Sequence, residues 1–291
     1  TDALQAMVLI VGSITISVIG LLKIGGWGNL VSVVEPTHFN MFLPSDHPDF
    51  PWIGMVFAPP IIGIWYWCTD QYIVQRVLSA KNVSEARKGT IFAGYLKLLP
   101  IFMFFIPGLI AYAMTKTGQL SYGSSDQVFP TLVRELLPSG IRGLVAGGLL
   151  AALMSSLSSV FNSCSTLFTM DIYKKLYPET DEKKLVFVGR IATGIVVLSG
   201  ILWIPFIKVV SGAGLYTYLQ SVQAYIAPPI ASVFLLGLFW SRINASGALA
   251  ALVGGFIAGM IRLGLEIKKS TLPVDGIWYQ IADLNFLYFA I

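Results

Sequence analysis

Seven long apolar stretches constrain this chain more than any other feature of its sequence. Each has a length within or above the range of about 17–25 residues that a helix needs to cross the hydrocarbon core of a bilayer. They cover residues 4–22, 52–77, 91–114, 144–170, 186–207, 215–239 and 248–265, and a further run begins at 286. Because 55% of the residues are hydrophobic and only 12% are charged, we predict an all-α membrane protein with about seven transmembrane helices and the start of an eighth.

Lysine and arginine are concentrated in two of the short connections between these spans. Residues 76–88 contain four basic side chains and residues 174–190 contain five. The positive-inside rule predicts that both connections are cytoplasmic. The two assignments are consistent with each other, because an even number of spans separates the connections. The same count places residues 25–50 and 116–138 outside. The orientation of the chain in the lipid bilayer accounts for the basic residues, so no nucleic-acid partner is predicted.

The fourth span carries more hydroxyl groups than lipid tolerates. Each of them needs a hydrogen-bond partner, so this helix must face protein or a water-filled cavity. The small and hydroxyl residues that fall near one face at helical spacing are Gly148, Ala152, Ser155, Ser156 and Ser159. This pattern alone leaves two interpretations open. Small residues permit close helix packing, and hydroxyl and carbonyl oxygens are the hard donors that a cation prefers.

Paired prolines predict interruptions in two spans. Pro59 and Pro60 should kink or break the second span, and Pro228 and Pro229 should do the same in the sixth. Transporters bind solutes at such places because unwound backbone exposes its polar groups. The sequence WYWCTDQ at 65–71 follows the first pair and offers aromatic faces for stacking against a sugar. An interfacial aromatic belt is the alternative.

Polar side chains inside other spans add to this pattern. Lys97 lies nine residues past Lys88, about 13 Å farther along a helix. It either snorkels to the inner interface or donates hydrogen bonds into a central cavity. Gln220 and Gln223 are costly in lipid, and facing a cavity each could both donate to and accept from a polyhydroxylated ligand.

Several of these segments, taken in order, resemble the sodium/glucose cotransporters of the solute:sodium symporter family. The segments that carry the resemblance are DALQ at 2–5, WYWCTDQYIVQR at 65–76, LSAKN at 78–82, GYLKLLP at 94–100, the serine-rich helix running into MDIY at 170–173, and residues 220–229. The match covers nearly the whole chain. Its short outer loops lack the cysteines of the animal members, which indicates a bacterial relative.

The resemblance implies part of an inverted-repeat (5+5 helix) sodium symporter fold. Residues 1–24 would be the fifth core helix, and residues 25–50 an extracellular loop. Residues 51–239 would form the second inverted repeat with its two broken helices, and residues 240–291 would form peripheral transmembrane helices. Because the chain begins at Thr1 and stops inside an apolar run, we expect a C-terminal portion of a longer protein that lacks the first core helices.

The resemblance also implies sodium as the coupling ion, with no other cofactor. The main sodium site would use the carbonyl of Ala152 and the hydroxyls of Ser155 and Ser156. A hard cation generally takes about six oxygens, so the first core helix would supply the rest. The residues that match a second cation position used by some family members are Asp2, Ser158 and Ser159.

For the solute, the resemblance implies a set of aromatic and polar side chains. Lys97 and Gln220 match polar ligands of the solute. Tyr66 matches the inner-gate aromatic and Trp67 its neighbour, and Tyr216 matches an outer-gate aromatic. Gly63 departs from the family, which has asparagine or threonine there, so the identity of the sugar stays open.

The predicted function is therefore sodium-coupled symport of a sugar such as glucose or galactose, by alternating access across the cell (inner) membrane. One alternative is symport of another organic solute such as myo-inositol, and a second is the transporter-like sensor part of a signalling protein. An enzyme is not predicted, because the sequence contains no Cys/His metal set and no nucleophile with an evident base.

Overall fold

The structure is a computed structural model that describes residues 2–210 and 214–291. Its α-helices are α1 Asp2–Ile24, α2 Trp27–Val33, α3 Trp52–Ile64, α4 Gln71–Leu78, α5 Val83–Leu96, α6 Ile106–Lys116, α7 Val128–Leu136, α8 Ser139–Thr166, α9 Lys174–Leu176, α10 Glu182–Val210, α11 Leu215–Phe239, α12 Ala245–Ile267, α13 Ile277–Asp283 and α14 Phe286–Phe289. Three π-helical segments continue or precede them, at Trp65–Thr69, Ile101–Phe105 and Leu167–Tyr173.

The prediction of seven membrane spans is confirmed. Within the described residues, 7 helical stretches are long and apolar enough to cross a bilayer. Each of them contains most of one predicted apolar run. The second span is shorter than predicted, because its helix ends at Thr69 rather than at 77. The chain is thus a multi-pass membrane protein.

The described chain divides into two compact units. The first unit comprises the residues up to Phe39 together with Ala80–Ile204, and the second comprises Asn40–Ser79 together with the described part of Pro205–Ile291. In the first unit, α1 packs against α6 and α8. Glycines on α1 permit this close approach, since a Cβ at Gly20 would lie 2.5 Å from Ile110 Cγ2.

In the second unit, α11 packs against α3 and α12. The contact with α12 depends on Gly255 and Gly259, which lie one helical turn apart. A Cβ at Gly259 would lie 2.7 Å from the carbonyl oxygen of Tyr225, and one at Gly255 would overlap the ring of Pro229. Small residues at this spacing are the usual way for membrane helices to bring their backbones together.

A charged cluster is buried beside that contact. Arg262 is only 3% exposed, and its Nη2 donates to the carbonyl oxygen of Leu284 at 2.9 Å. Its Nη1 lies 3.7 Å from Glu266 Oε2, and Glu266 also accepts a hydrogen bond from the hydroxyl of Tyr225. The cluster links α12 to α11 and to the turn before α14, and Glu266 provides an opposite charge beside the buried guanidinium, although Nε and Nη1 of Arg262 make no hydrogen bond.

Within the predicted apolar run 52–77, the helix breaks at Asp70 and not at the prolines. Helix α3 contains both Pro59 and Pro60 and continues to Ile64, and the π-helical segment then extends it to Thr69. Asp70 has extended backbone, with ψ 119°, and its carboxylate accepts the N–H of Tyr72 to begin α4. Aspartate breaks the helix here because its side chain replaces a backbone partner at the start of a new helix.

A second interruption, which we did not predict, lies in the third span. Helix α5 ends at Leu96, and Lys97 and Leu98 form a turn before the next π-helical segment. Pro100 explains this position, because it has no N–H to bond the carbonyl of Leu96 and its ring clashes with that carbonyl in a regular helix. The polar Lys97 therefore lies at a helix break rather than inside a helix.

At Pro228 and Pro229 we predicted a kink or a break, and the prediction of a break is wrong. Helix α11 runs through both prolines from Leu215 to Phe239. The ring of Pro229 packs against Gly255 of α12. Membrane helices tolerate internal proline where the surroundings accommodate it.

The connections between spans contain more structure than predicted. Helix α2 lies in the predicted loop 25–50, where Leu30 is fully buried in the first unit. Helix α7 likewise buries Leu132. The run beginning at Phe286, which we predicted to start an eighth span, forms the single turn α14 and buries Phe286 and Leu287 in the second unit.

Candidate functional site

The predicted cation-binding face lies on α8, in the first unit. Ala152, Ser155 and Ser159 are half-buried, whereas Ser156 and Ser158 are exposed. The hydroxyl of Ser159 donates to the carbonyl oxygen of Ser155 at 3.0 Å. A hydroxyl that donates to its own helix still presents oxygen lone pairs, so this face of α8 carries acceptors and no cationic side chain.

The packing of α1 on α8 shows where this face points. A Cβ at Gly148 would lie 2.9 Å from Val8 Cγ1, and Gly12 faces Val145 in the same way. The two helices are therefore antiparallel. Their register places Ser155 level with the backbone of Asp2, at the start of α1. The side chain of Asp2 lies outside the described residues, so its part in a second cation site stays a prediction.

The aromatic cluster occupies the π-helical segment at the end of α3. The rings of Tyr66 and Trp67 meet edge to face with their centroids 5.2 Å apart. A Cβ at Gly63 would find no atom within 4 Å, so the structure leaves open space at the position where the sequence departs from the family. This segment packs against α11, the helix that carries the predicted polar ligand of the solute.

That ligand, Gln220, forms a pair with the predicted outer-gate aromatic. Gln220 Nε2 donates to the hydroxyl of Tyr216 at 3.4 Å, one turn earlier on α11. Gln220 is half-buried, and Tyr216 is 61% exposed. The structure thus brings together two of the predicted solute-binding residues through a hydrogen bond, in addition to the ring contact between Tyr66 and Trp67.

Lys97 belongs to the first unit, whereas the other predicted solute ligands belong to the second. Its side chain is exposed, and its backbone N–H closes the last turn of α5. Helix breaks leave polar backbone groups without helical partners, so the turn at Lys97 can present carbonyl oxygens as well as an ammonium group to a ligand.

One residue of the aromatic cluster was missed by reasoning from the sequence. The hydroxyl of Tyr72 hydrogen-bonds that of Tyr66, and the two ring centroids are 6.1 Å apart. The signal that could have found it is the aspartate at position 70, which breaks the helix and turns Tyr72 back toward Tyr66.

The described residues contain no group of three or more His, Cys, Asp or Glu side chains placed to hold a metal ion. Transition metals prefer sites built from such groups. The donors present on α8 are hydroxyls and a backbone carbonyl, and these neutral oxygens fit a hard monovalent cation.

Comparison with known proteins identifies the family to which this chain belongs. The family model described as the sodium:solute symporter family matches residues 1–255. The chain belongs to this family. The matched region contains all the residues that we predicted from the sequence to bind sodium or solute.

Curated relatives agree with the assignment. The chain is 37% identical over 323 residues to the sodium/myo-inositol cotransporter 2 of Homo sapiens, covering 100% of this chain and 48% of that protein. It is 36% identical over 324 residues to the sodium/glucose cotransporter 4 of Danio rerio, covering 100% and 49%. The chain thus spans about half the length of the curated relatives that it matches.

Proposed function

We propose that the full-length protein is a sodium-coupled symporter that carries a sugar or a related polyol by alternating access. The observation that supports this most directly is the half-buried face of α8, where oxygen donors line a helix that is long enough to span a membrane. Relatives whose names specify sodium cotransport of glucose or myo-inositol support it independently. The proposed location is the cell (inner) membrane.

In this proposal, the sodium ion binds the carbonyl of Ala152 and the hydroxyls of Ser155 and Ser156. These provide three of the roughly six oxygens that a hard cation takes. A segment beyond this chain would supply the others. The residues proposed for a second sodium ion, at the level where α8 meets the start of α1, are Asp2, Ser158 and Ser159.

The solute is proposed to bind the side chains assigned from the family resemblance. An aromatic face stacks on the apolar face of a sugar ring, and amide and ammonium groups exchange hydrogen bonds with its hydroxyls. These residues are Gly63, Tyr66, Trp67, Lys97, Tyr216 and Gln220. We also propose that residues 51–239 form the second repeat of an inverted-repeat fold, now with its helix breaks at Asp70 and Lys97.

The energy available to such a transporter can be estimated from general constants. One charge that moves through 100 mV supplies about 2.3 kcal/mol, and a tenfold sodium gradient adds about 1.4 kcal/mol. Because each 1.4 kcal/mol corresponds to a factor of ten, one sodium ion could support solute accumulation of several hundredfold. This work is possible only if sodium binds the two states of the carrier with different affinities.

The test is solute uptake by the full-length protein in liposomes, with sodium or choline outside. We expect uptake in sodium only. Ser156→Ala should raise the sodium concentration for half-maximal uptake. Gln220→Ala should raise the KM for the solute about tenfold, as expected for the loss of hydrogen bonds to the solute. Ser199→Ala is the matched control, because Ser199 is exposed on α10 and its hydroxyl bonds its own helix.

Equal uptake in sodium and choline would refute the proposed function. An unchanged KM in Gln220→Ala would refute only the assignment of the solute site. Competition among glucose, galactose and myo-inositol would identify the solute, and myo-inositol deserves equal weight because relatives named for both substrates match this chain over its full length.

A further inference from the structure

Tyr66 and Tyr72 contact each other across the helix break at Asp70. Their hydroxyl groups form a hydrogen bond, and their rings meet nearly edge to face, at 75°. Both side chains are half-buried. The contact joins the π-helical segment that ends the second span to α4, which begins after the break.

A continuous helix would not allow this contact. Residues advance about 100° around an α-helix and 1.5 Å along it, so two residues six positions apart would lie about 9 Å apart along the axis and about 120° apart around it. The extended backbone of Asp70 changes this geometry. The hydrogen bond between the two hydroxyls therefore forms only when the chain is bent at Asp70.

Tyr72 is also fixed to the helix that follows the break. Its N–H donates to Asp70 Oδ1 at 3.3 Å, and the guanidinium carbon of Arg76 lies 5.9 Å from the centroid of its ring. A cation at this distance from an aromatic face is attracted to it. Because these contacts hold Tyr72 on α4, a movement of α4 relative to α3 must move the hydroxyl that Tyr66 bonds.

Tyr66 also contacts both neighbouring tryptophans. Its ring meets Trp67 edge to face, and its centroid lies 6.2 Å from that of Trp65. An aromatic side chain has two torsions to fix. The hydroxyl oxygen lies on the axis of the second torsion, so the hydrogen bond to Tyr72 fixes the first torsion, which sets where the ring lies. The contacts with Trp65 and Trp67 limit rotation of the ring about its own axis.

We infer that Tyr72 is a positioning residue for the solute site: its hydroxyl holds the Tyr66 side chain in its solute-binding rotamer and makes that rotamer depend on the bend at Asp70. The inference rests on the proposed function, in which Tyr66 contacts the solute. When the bend opens, the hydrogen bond breaks and Tyr66 is free to turn away from the solute.

The experiment is sodium-driven uptake by the full-length protein carrying Tyr72→Phe, which removes only the hydroxyl. We expect the KM for the solute to rise about three- to tenfold, the range for the loss of one hydrogen bond, while the sodium dependence stays unchanged. Tyr66→Phe breaks the same bond, so the double variant should be no worse than Tyr66→Phe alone. An unchanged KM, or additive effects in the double variant, would overturn the inference.

Tyr177→Phe is the matched control. Tyr177 also contacts a second tyrosine, Tyr173, with ring centroids 5.0 Å apart, but it belongs to the other unit. Removing the hydroxyl of Tyr177 should leave the KM for the solute unchanged. If Tyr177→Phe raised the KM as much as Tyr72→Phe, the effect would be a general consequence of losing a tyrosine hydroxyl, and the inference would fail.

A second measurement separates this inference from the proposed function. Backbone hydrogen exchange across residues 65–78 does not require transport, and Tyr72→Phe should accelerate it by loosening the bend. If the wild-type protein showed no sodium-dependent uptake, the proposed function would fail, and faster exchange in the variant would still support the positioning contact. Unchanged exchange would overturn that contact whatever the transport result.

Discussion

The packing of α1 on α8 offers a sharp test because two neighbouring glycines differ in their surroundings. A Cβ at Gly148 would lie 2.9 Å from Val8 Cγ1, whereas one at Gly147 would meet no atom within 4 Å. Both residues lie in the middle of α8, so alanine changes the intrinsic helix propensity by the same amount at either position. The difference between the two variants therefore measures the packing alone.

The magnitude follows from the geometry. Real Cβ contacts essentially never lie below 3.0 Å, so Gly148→Ala must move α1 or the side chain of Val8. Valine is branched at Cβ and stiff about its first torsion, so the helices are expected to separate. Inserting one carbon into a close-packed contact costs about 1–3 kcal/mol. Gly148→Ala should be less stable than Gly147→Ala by about that amount.

The assay is unfolding of the full-length protein in detergent, with the free energy of unfolding compared between the two alanine variants. Gly148 also lies on the same face as Ala152 and Ser155. The separation of the helices should therefore raise the sodium concentration for half-maximal uptake in Gly148→Ala, while Gly147→Ala keeps the wild-type value. Equal stability in the two variants would refute the claim that α1 and α8 pack through Gly148.

Two further predictions concern other parts of the chain. Gly63→Asn should fold as the wild type does, because a Cβ there meets no atom within 4 Å, and it should change the order of glucose, galactose and myo-inositol in competition uptake; unchanged competition would contradict a role for this position. Glu35 accepts hydrogen bonds from Lys116 at 2.6 Å and Tyr112 at 3.1 Å, and the bond from Lys116 holds the pKa of Glu35 below its ordinary value. The contact should thus hold residues 25–39 on α6 at neutral pH and be lost as the pH falls through that lowered pKa. The loss should appear as faster hydrogen exchange of this segment beyond the intrinsic effect of pH. Glu35→Gln should show this faster exchange already at neutral pH, and unchanged exchange in that variant would contradict the reasoning.

Helix breaks show where reasoning from the sequence succeeds and where it stops. Both proline pairs were predicted to kink or break their helices because of the missing N–H groups and the ring clashes, yet α3 and α11 continue through them. In α11 the ring of Pro229 lies against Gly255 of α12, and a local sequence pattern does not reveal such a neighbour. Pro100 does coincide with a break, because α5 ends at Leu96, the residue whose carbonyl it would obstruct.

The existence and number of the membrane helices were determined by the sequence, because long apolar runs have one low-energy structure in lipid, a helix with all its backbone hydrogen bonds made internally. The grouping of hydroxyls on one face of α8 followed from helical periodicity for the same reason. Only the tertiary structure decided that this face begins where α1 packs closely, and that Tyr72 returns to Tyr66. The first contact depends on the close packing of two helices, and the second depends on extended backbone at Asp70. Neither produces a periodic pattern of residues that can be recognised in the sequence.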